Sequence, residues 1–285
     1  MQESSLYQLH IRLESYPKEW ETLPDAPETL QYLGDISLLA TRKFTVVGSR
    51  TTPVQTRKLG KEIVGGLARY FTIVTGVADG GDETAIQGAL EAGGKIICVL
   101  AGGFSALPQS NLPLLKEVAE KGLLISPYPF DTPTRNFSYE YRNKLLAHLG
   151  EGTLVLGAGE KSGTLLTAKH AKKAGKKIFA IPYAPHVHAG VGCNRLIKEG
   201  AYLTESAEDV LLGMDIQPSE RKKISVVFTQ EEQTILEIIT VVAEAHIGEI
   251  SQKSGLPVYK LRAVLSSLEI KGAITPIGGN RYAIV

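Results

Sequence analysis

The sequence predicts an α/β chain: a Rossmann-like doubly wound mostly parallel sheet, with a small C-terminal winged-helix domain. Three observations carry that prediction. Between residues 44 and 204 short apolar, β-branched runs alternate with amphipathic segments, and glycine-rich turns close most of the runs. Beyond residue 223, three helix-patterned segments lead into a hairpin-patterned one. Residues 1–40 read as an arm packing on the core, 41–212 as the core domain, 213–223 as a linker and 224–285 as the winged-helix domain.

The arm is punctuated by Pro17, Pro24 and Pro27 and carries Tyr16, Trp20, Leu23, Leu30, Tyr32 and Leu33. That pattern suits an extended strap laying its aromatics on a neighbouring domain. Core strands are expected at 44–47, 72–75, 95–100, 123–126, 153–156 and 177–181, with a short one at 201–204. Helices are expected at 58–70, 83–92, 112–121 and 165–174. In a doubly wound sheet the turns after the strands share one edge, and ligands bind there. The glycine-rich turns should therefore converge.

The first turn, Gly48-Ser49-Arg50, has a glycine that admits backbone amides to an anion, a hydroxyl donor, and a guanidinium fork. It lacks the third glycine of a dinucleotide fingerprint and the lysine of a P-loop. Further turns are 76–82, 101–103 and 157–164. In the last, Lys161-Ser162-Gly163-Thr164 places a cation and two hydroxyls at a helix N-terminus, where the dipole favours negative charge. Any one of these glycines is explained by turn chemistry alone; several on one edge, interleaved with Arg50, Lys144 and Lys161, point to an anionic ligand.

Residues 135–146 interleave Arg135, Arg142 and Lys144 with Phe137, Tyr139 and Tyr141. Cations for phosphates beside aromatic faces for bases are what a single-strand binder needs. A helix is expected to start here, with Leu145 and Leu146 on its buried side. The loop 182–194 holds His186, His188 and Cys193, but the spacing matches no zinc pattern and no base is paired with the thiol. Residues 194–201 read as a short helix capped by Asn194 and stopped by Gly200. Asp82 and Glu83 are accounted for as helix-start acids. No catalytic residue, metal or cofactor is called for.

The linker is polar, with Pro218, Arg221, Lys222 and Lys223. After it come helices at 230–244, 247–253 and 258–271, the third with Val258, Leu261, Val264, Leu265 and Leu268 on one stripe, then a hairpin around Gly278-Gly279. Winged helices often read duplex DNA through the third helix. Here Lys260, Arg262, Lys271 and Arg281 are offset by six glutamates, which favours a protein-contact or regulatory role.

Composition is ordinary globular material: 285 residues, 43% hydrophobic, 21% charged, net charge +1. Any basic footprint must be local. Two cysteines give no disulfide framework, and no apolar run approaches the length that spans a bilayer, so cytoplasmic residence is expected.

Taken together the motifs resemble the DNA-processing protein A family (DprA, also called Smf). The resemblance runs from Tyr16-Pro17 through Gly34, Val47-Gly48-Ser49-Arg50, residues 75–82 with Ala89-Leu90, Arg142-Asn143-Lys144 and 162–168 to 192–197 with Gly200-Ala201, in matching order and spacing. It implies a core that binds single-stranded DNA, forms a homodimer, and helps load the RecA recombinase on incoming strands during natural transformation. By match to its motifs, Arg50 after Gly48-Ser49 would hold a phosphate. Arg142, Asn143 and Lys144 would line the same groove, Tyr139 would stand where the family has a phenylalanine, and Ser162 and Gly163 would sit in the matching loop. Three departures, Gly80-Gly81-Asp82, Ser126-Pro127-Tyr128-Pro129 and Gly157, leave the anion contacts intact but not acid-dependent chemistry. The helical domain that some members carry before the arm is expected to be absent. Two other readings stay open: a nucleotide-binding or nucleotide-processing protein, and a regulator reading duplex DNA through the winged helix.

Overall fold

The computed structural model describes residues 7–10, 15–218, 228–242 and 244–284, with side chains from Tyr7 onward except at 8–10. They divide into two units, Met1–Pro218 and Ser219–Val285.

In chain order the first unit contains β1 (Tyr7–His10), α1 (Lys18–Glu21), β2 (Thr29–Gly34), a 3-10 turn (Ile36–Ala40), β3 (Lys43–Val47), α2 (Val54–Leu67), β4 (Thr72–Thr75) and α3 (Gly81–Glu91). It continues with β5 (Ile96–Val99), α4 (Leu112–Lys121), β6 (Leu123–Ser126), α5 (Asn136–Leu149), β7 (Gly152–Val155), α6 (Thr164–Lys173), β8 (Lys177–Ala180), α7 (Val191–Lys198), β9 (Tyr202–Leu203) and α8 (Ala207–Gly213). The strands form one sheet in the order β1-β2-β6-β5-β4-β3-β7-β8-β9. From β6 to β9 every pairing is parallel, whereas β1 and β2 are antiparallel.

Alternation along the strands sorts side chains into two cores. Phe44, Val46, Ile73, Ile96 and Cys98 face α2, α3, α4 and α8, while Val47, Val74, Ile97 and Val99 face α1, α5, α6 and α7. Both faces being covered, the strands read as continuous apolar runs rather than alternating ones.

The arm is more than a strap. β2 pairs with β6 and carries β1 beyond it, so the arm extends the sheet. Its aromatics are core: Trp20 is fully buried and donates from Nε1 to Leu145 O at 2.9 Å, and the Tyr16 hydroxyl donates to Pro27 O at 2.7 Å. Lys43, buried at the start of β3, bonds Leu39 O, Thr41 O and Glu19 Oε1 within 2.9 Å, which satisfies its ammonium. The prolines hid the strand pairing from a local reading, because a strand partnered at long range leaves no periodic signal of its own.

Helix α7 starts at Val191, so Asn194 lies inside it and does not cap it. Its side chain accepts from Tyr183 N at 3.0 Å and donates to Tyr183 O at 2.8 Å, which fixes the preceding loop. Cys193 is buried under β7 with its thiol pushed up to about 12 by burial, a core residue rather than a nucleophile.

The second unit contains α9 (Gln230–Val242), β10 (Glu244–His246), α10 (Ile247–Ser254), α11 (Val258–Ile270), β11 (Ile274–Gly278) and β12 (Arg281–Ile284). Its small sheet, β10-β12-β11, closes a core of Ile235, Ile239, Ile250, Leu261, Leu265 and Leu268, as a winged helix requires. Residues 214–218 belong to the first unit, with Met214 and Ile216 packed on its core. The rest of the expected linker, 219–223, lies outside the described residues. No described helix is long and apolar enough to cross a membrane.

Candidate nucleic-acid interface

Strand order reverses between β3 and β7: the chain steps from β3 outward through β4, β5 and β6, then returns to pair β7 on β3's other side. The turns leaving β3 and β7 therefore diverge and open a crevice at the strands' carboxyl ends. Arg50 stands on the first turn. The first two turns of α5 bring Tyr139 and Arg142 opposite it.

Three side chains stack there. Arg50 is exposed, donates from Nη2 to the Tyr139 hydroxyl at 3.2 Å, and has Cζ 5.6 Å from that ring's centroid. Arg142 has Cζ 5.8 Å from the same ring but is buried. Its Nη1 lies 3.6 Å from Asp82 Oδ2 and donates to Val99 O at 3.3 Å, and its Nε donates to Asn143 Oδ1 at 3.1 Å. Asn143 donates in turn to Gly163 O at 3.2 Å, tying α5 to the loop before α6. Burial pushes the Asp82 carboxyl up, against the pull of Arg142 and the amides of Ala78 and Gly48.

Two glycines make the arrangement possible. A Cβ on Gly76 would stand 1.7 Å from Arg142 Nη1 and 2.3 Å from Asp82 Oδ2, so only glycine leaves room for that pair. A Cβ on Gly81 would stand 2.2 Å from Gly48 Cα; the turn after β3 and the start of α3 touch backbone to backbone. Gly81, one of the departures from the expected motif, is thus required by this backbone.

The expected amide cradle at Gly48-Ser49 is corrected by these contacts. The Gly48 amide serves Asp82, and the Ser49 amide donates to Gly157 O at 2.8 Å. What Ser49 presents is its hydroxyl, 2.8 Å from that of Thr51. The local sequence cannot show this, because the acceptors come from other strands' turns.

A groove of about 320 Å³ gathers nine of the expected residues: Gly48, Ser49, Arg50, Tyr139, Arg142, Asn143, Ser162, Gly163 and Thr164. Lys144 and Lys161 are not among its lining residues. Lys144, about 200° round the helix from Arg142, pairs with Asp25 of the arm, which also holds the Asp25 carboxyl below its usual range. Lys161 is exposed on the loop before α6. Of the three interleaved aromatics, Phe137 is exposed and Tyr139 lines the groove. Tyr141 packs on the arm, its hydroxyl donating to Asp25 O at 2.6 Å.

A second depression of about 190 Å³ shares Arg50, Ala78, Tyr139 and Arg142 with the first and adds Asp79, Leu100, Gly102, Gly103 and Thr134. The turn at 101–103 joins the site as the sequence predicts, whereas Asp82 and residues 106–108 are what the sequence reading missed as site components. Asp82 carries a helix-start signal only, and its partner is 60 residues away.

Residues 8–215 match the family DNA recombination-mediator protein A, and residues 218–280 match the DprA winged helix domain. The chain is 37% identical over 198 residues to the DNA processing protein DprA of Streptococcus pneumoniae, covering 69% of this chain and 70% of that one. The solved structure of the Streptococcus pneumoniae protein superposes with a TM-score of 0.70 at 35% identity, covering 73% of this chain and 74% of that one. DNA processing protein A of Helicobacter pylori, solved for its single-stranded DNA binding mode, gives a TM-score of 0.66 at 27% identity over 74% of this chain and 97% of that one. With a switch-point crevice, an arginine pair about one aromatic ring and a matching second domain, the chain belongs to the DNA recombination-mediator protein A family.

Proposed function

We propose that this chain binds single-stranded DNA in the switch-point groove and acts, as a homodimer and without chemistry of its own, as a recombination mediator that helps load the RecA recombinase during natural transformation. The observation that carries the binding reading is the Arg50–Tyr139–Arg142 stack. Arg142 is held by Asp82, whereas Arg50 is exposed and among the described residues its guanidinium bonds only a neutral hydroxyl, so its charge is left for a phosphate. Ser162 and Thr164 add hydroxyls at the N-terminus of α6, whose dipole favours the same anion. Phe137, 63% exposed in the first turn of α5, offers a face on which a base stacks without reading its identity. Gly48, Asn143 and Gly163 shape the groove, Lys161 adds positive potential beside Ser162, and Lys144 contributes less because its charge is paired with Asp25. The absence of an acid at Gly157 and the occupation of Asp82 by Arg142 argue for holding a strand rather than cutting one.

The test is binding of polythymidine by fluorescence anisotropy. Arg50→Ala is expected to weaken binding roughly 10- to 100-fold at low salt, the value of a charge-assisted contact, with Arg50→Lys in between. Unchanged affinity in Arg50→Ala would mean that the strand lies elsewhere. A mononucleotide that competes as well as the strand would instead favour the nucleotide-binding reading.

A further inference from the structure

We propose that the exposed lysine ridge of α6, formed by Lys169, Lys172 and Lys173, is a second phosphate track that carries a bound single strand away from the switch-point groove. The inference rests on the single-strand reading above.

Helix α6 begins at Thr164, in the wall of the groove, and its ten residues run roughly 15 Å back toward the start of β8. Thr167, Ala168 and Ala171 face the sheet, which turns Lys169, Lys172 and Lys173 outward. From Thr164 to Lys177 the sequence holds five lysines and a histidine and no acid. A strand leaving the groove over Ser162 and Thr164 meets Lys169 about one and a half turns later.

Some lysines elsewhere on the core pair with carboxylates, Lys61 with Glu91, Lys121 with Glu117 and Lys177 with Asp215, each at 2.7 Å. Among the described residues no carboxylate pairs with Lys169, Lys172 or Lys173; Lys172 reaches only the Glu199 carbonyl, at 3.5 Å. Compensation of the helix dipole explains cations in the last turn of α6 but not Lys169 in its middle. His170, on the same helix, reports the local field. Burial lowers its pKa first, then His148, Lys144 and Lys173 lower it further, against Glu140 alone. Unpaired lysines in such a field gain by meeting phosphates and releasing their counterions.

The experiment compares the intact chain with a triple variant, Lys169→Gln with Lys172→Gln and Lys173→Gln, on polythymidine of about 16 and about 4 nucleotides, the long and short ends of single-strand site sizes. For the long strand the slope of log K against log salt is expected to become shallower by about 2, the share of three phosphate contacts. The short strand should bind both proteins alike, and the triple Lys→Arg variant should restore the long-strand slope. An unchanged long-strand slope overturns the track and leaves the ridge to some other partner. Equal losses for both strands overturn it too, since the groove or the fold would then be at fault; circular dichroism separates those two. If the unaltered chain binds neither strand, the single-strand reading fails and the track with it.

Discussion

At the ligand edge of the core, Arg142 is buried 3.6 Å from Asp82, while Arg50, across the Tyr139 ring, stands in solvent, bonded among the described residues by a hydroxyl alone. In the winged-helix unit, Glu232 is buried and closed on every side. It accepts from Lys271 at 2.6 and 2.7 Å, from the Ser267 hydroxyl at 2.7 Å and from the Thr229 amide at 2.7 Å. The second arrangement spends its charge on the fold, joining the start of α9 to the end of α11. The first holds one guanidinium in place with a looser pair and leaves a second unspent, which is how a protein keeps affinity in reserve for a guest.

The greatest change is expected from removing the space that holds the looser pair. Gly76→Ala is expected to drive Arg142 and Asp82 apart and to destabilise the core by about 1–3 kcal/mol, the usual cost of overpacking. Urea unfolding of the full chain checks it, and an unchanged midpoint would show that the pair adapts to a Cβ. On the closed side, the Glu232 carboxyl is held down to about 2, chiefly by Lys271, then by the Thr229 amide and Ser267. Because the folded value is depressed, its stabilisation is present above the ordinary 4.5 and is lost as pH falls through about 2. Glu232→Gln should therefore flatten the acid branch of the second unit's stability curve, followed by thermal melts across that range. If wild type and variant lose stability in parallel there, other carboxylates govern the transition. The smallest effect belongs to Lys144→Ala. Its partner Asp25 is half exposed, so stability should fall by less than about 1 kcal/mol, and polythymidine affinity should fall less than in Arg50→Ala. A loss matching that of Arg50→Ala would move Lys144 into the groove and blur the distinction between paired and unpaired cations.

Much of this was legible beforehand because it is local. The strands at 72–75 and 123–126 and the helix at 112–121 stand where the sequence predicts them, and the three helices and hairpin of the second unit follow from a stripe and a glycine pair. The arm packs its aromatics on the core as expected, but its strand pairing was not legible, for the opposite reason: β2 is a strand only because β6 is beside it. In the site, Lys144 looks equivalent to Arg142 in a motif of adjacent residues. A helix sends them to different sides, one to Asp82 and the other to Asp25.

The sequence alone determined the alternation of strands and helices, the second domain and the residue types that suit a phosphate, since periodicity and turn chemistry are written within a few positions of each residue. Only the tertiary structure decided which charges remain unspent, because Asp82, Asp25 and Gly157 reach their partners across tens of residues. A cation's availability depends on the neighbour that folding brings to it, and that neighbour is not next to it in the chain.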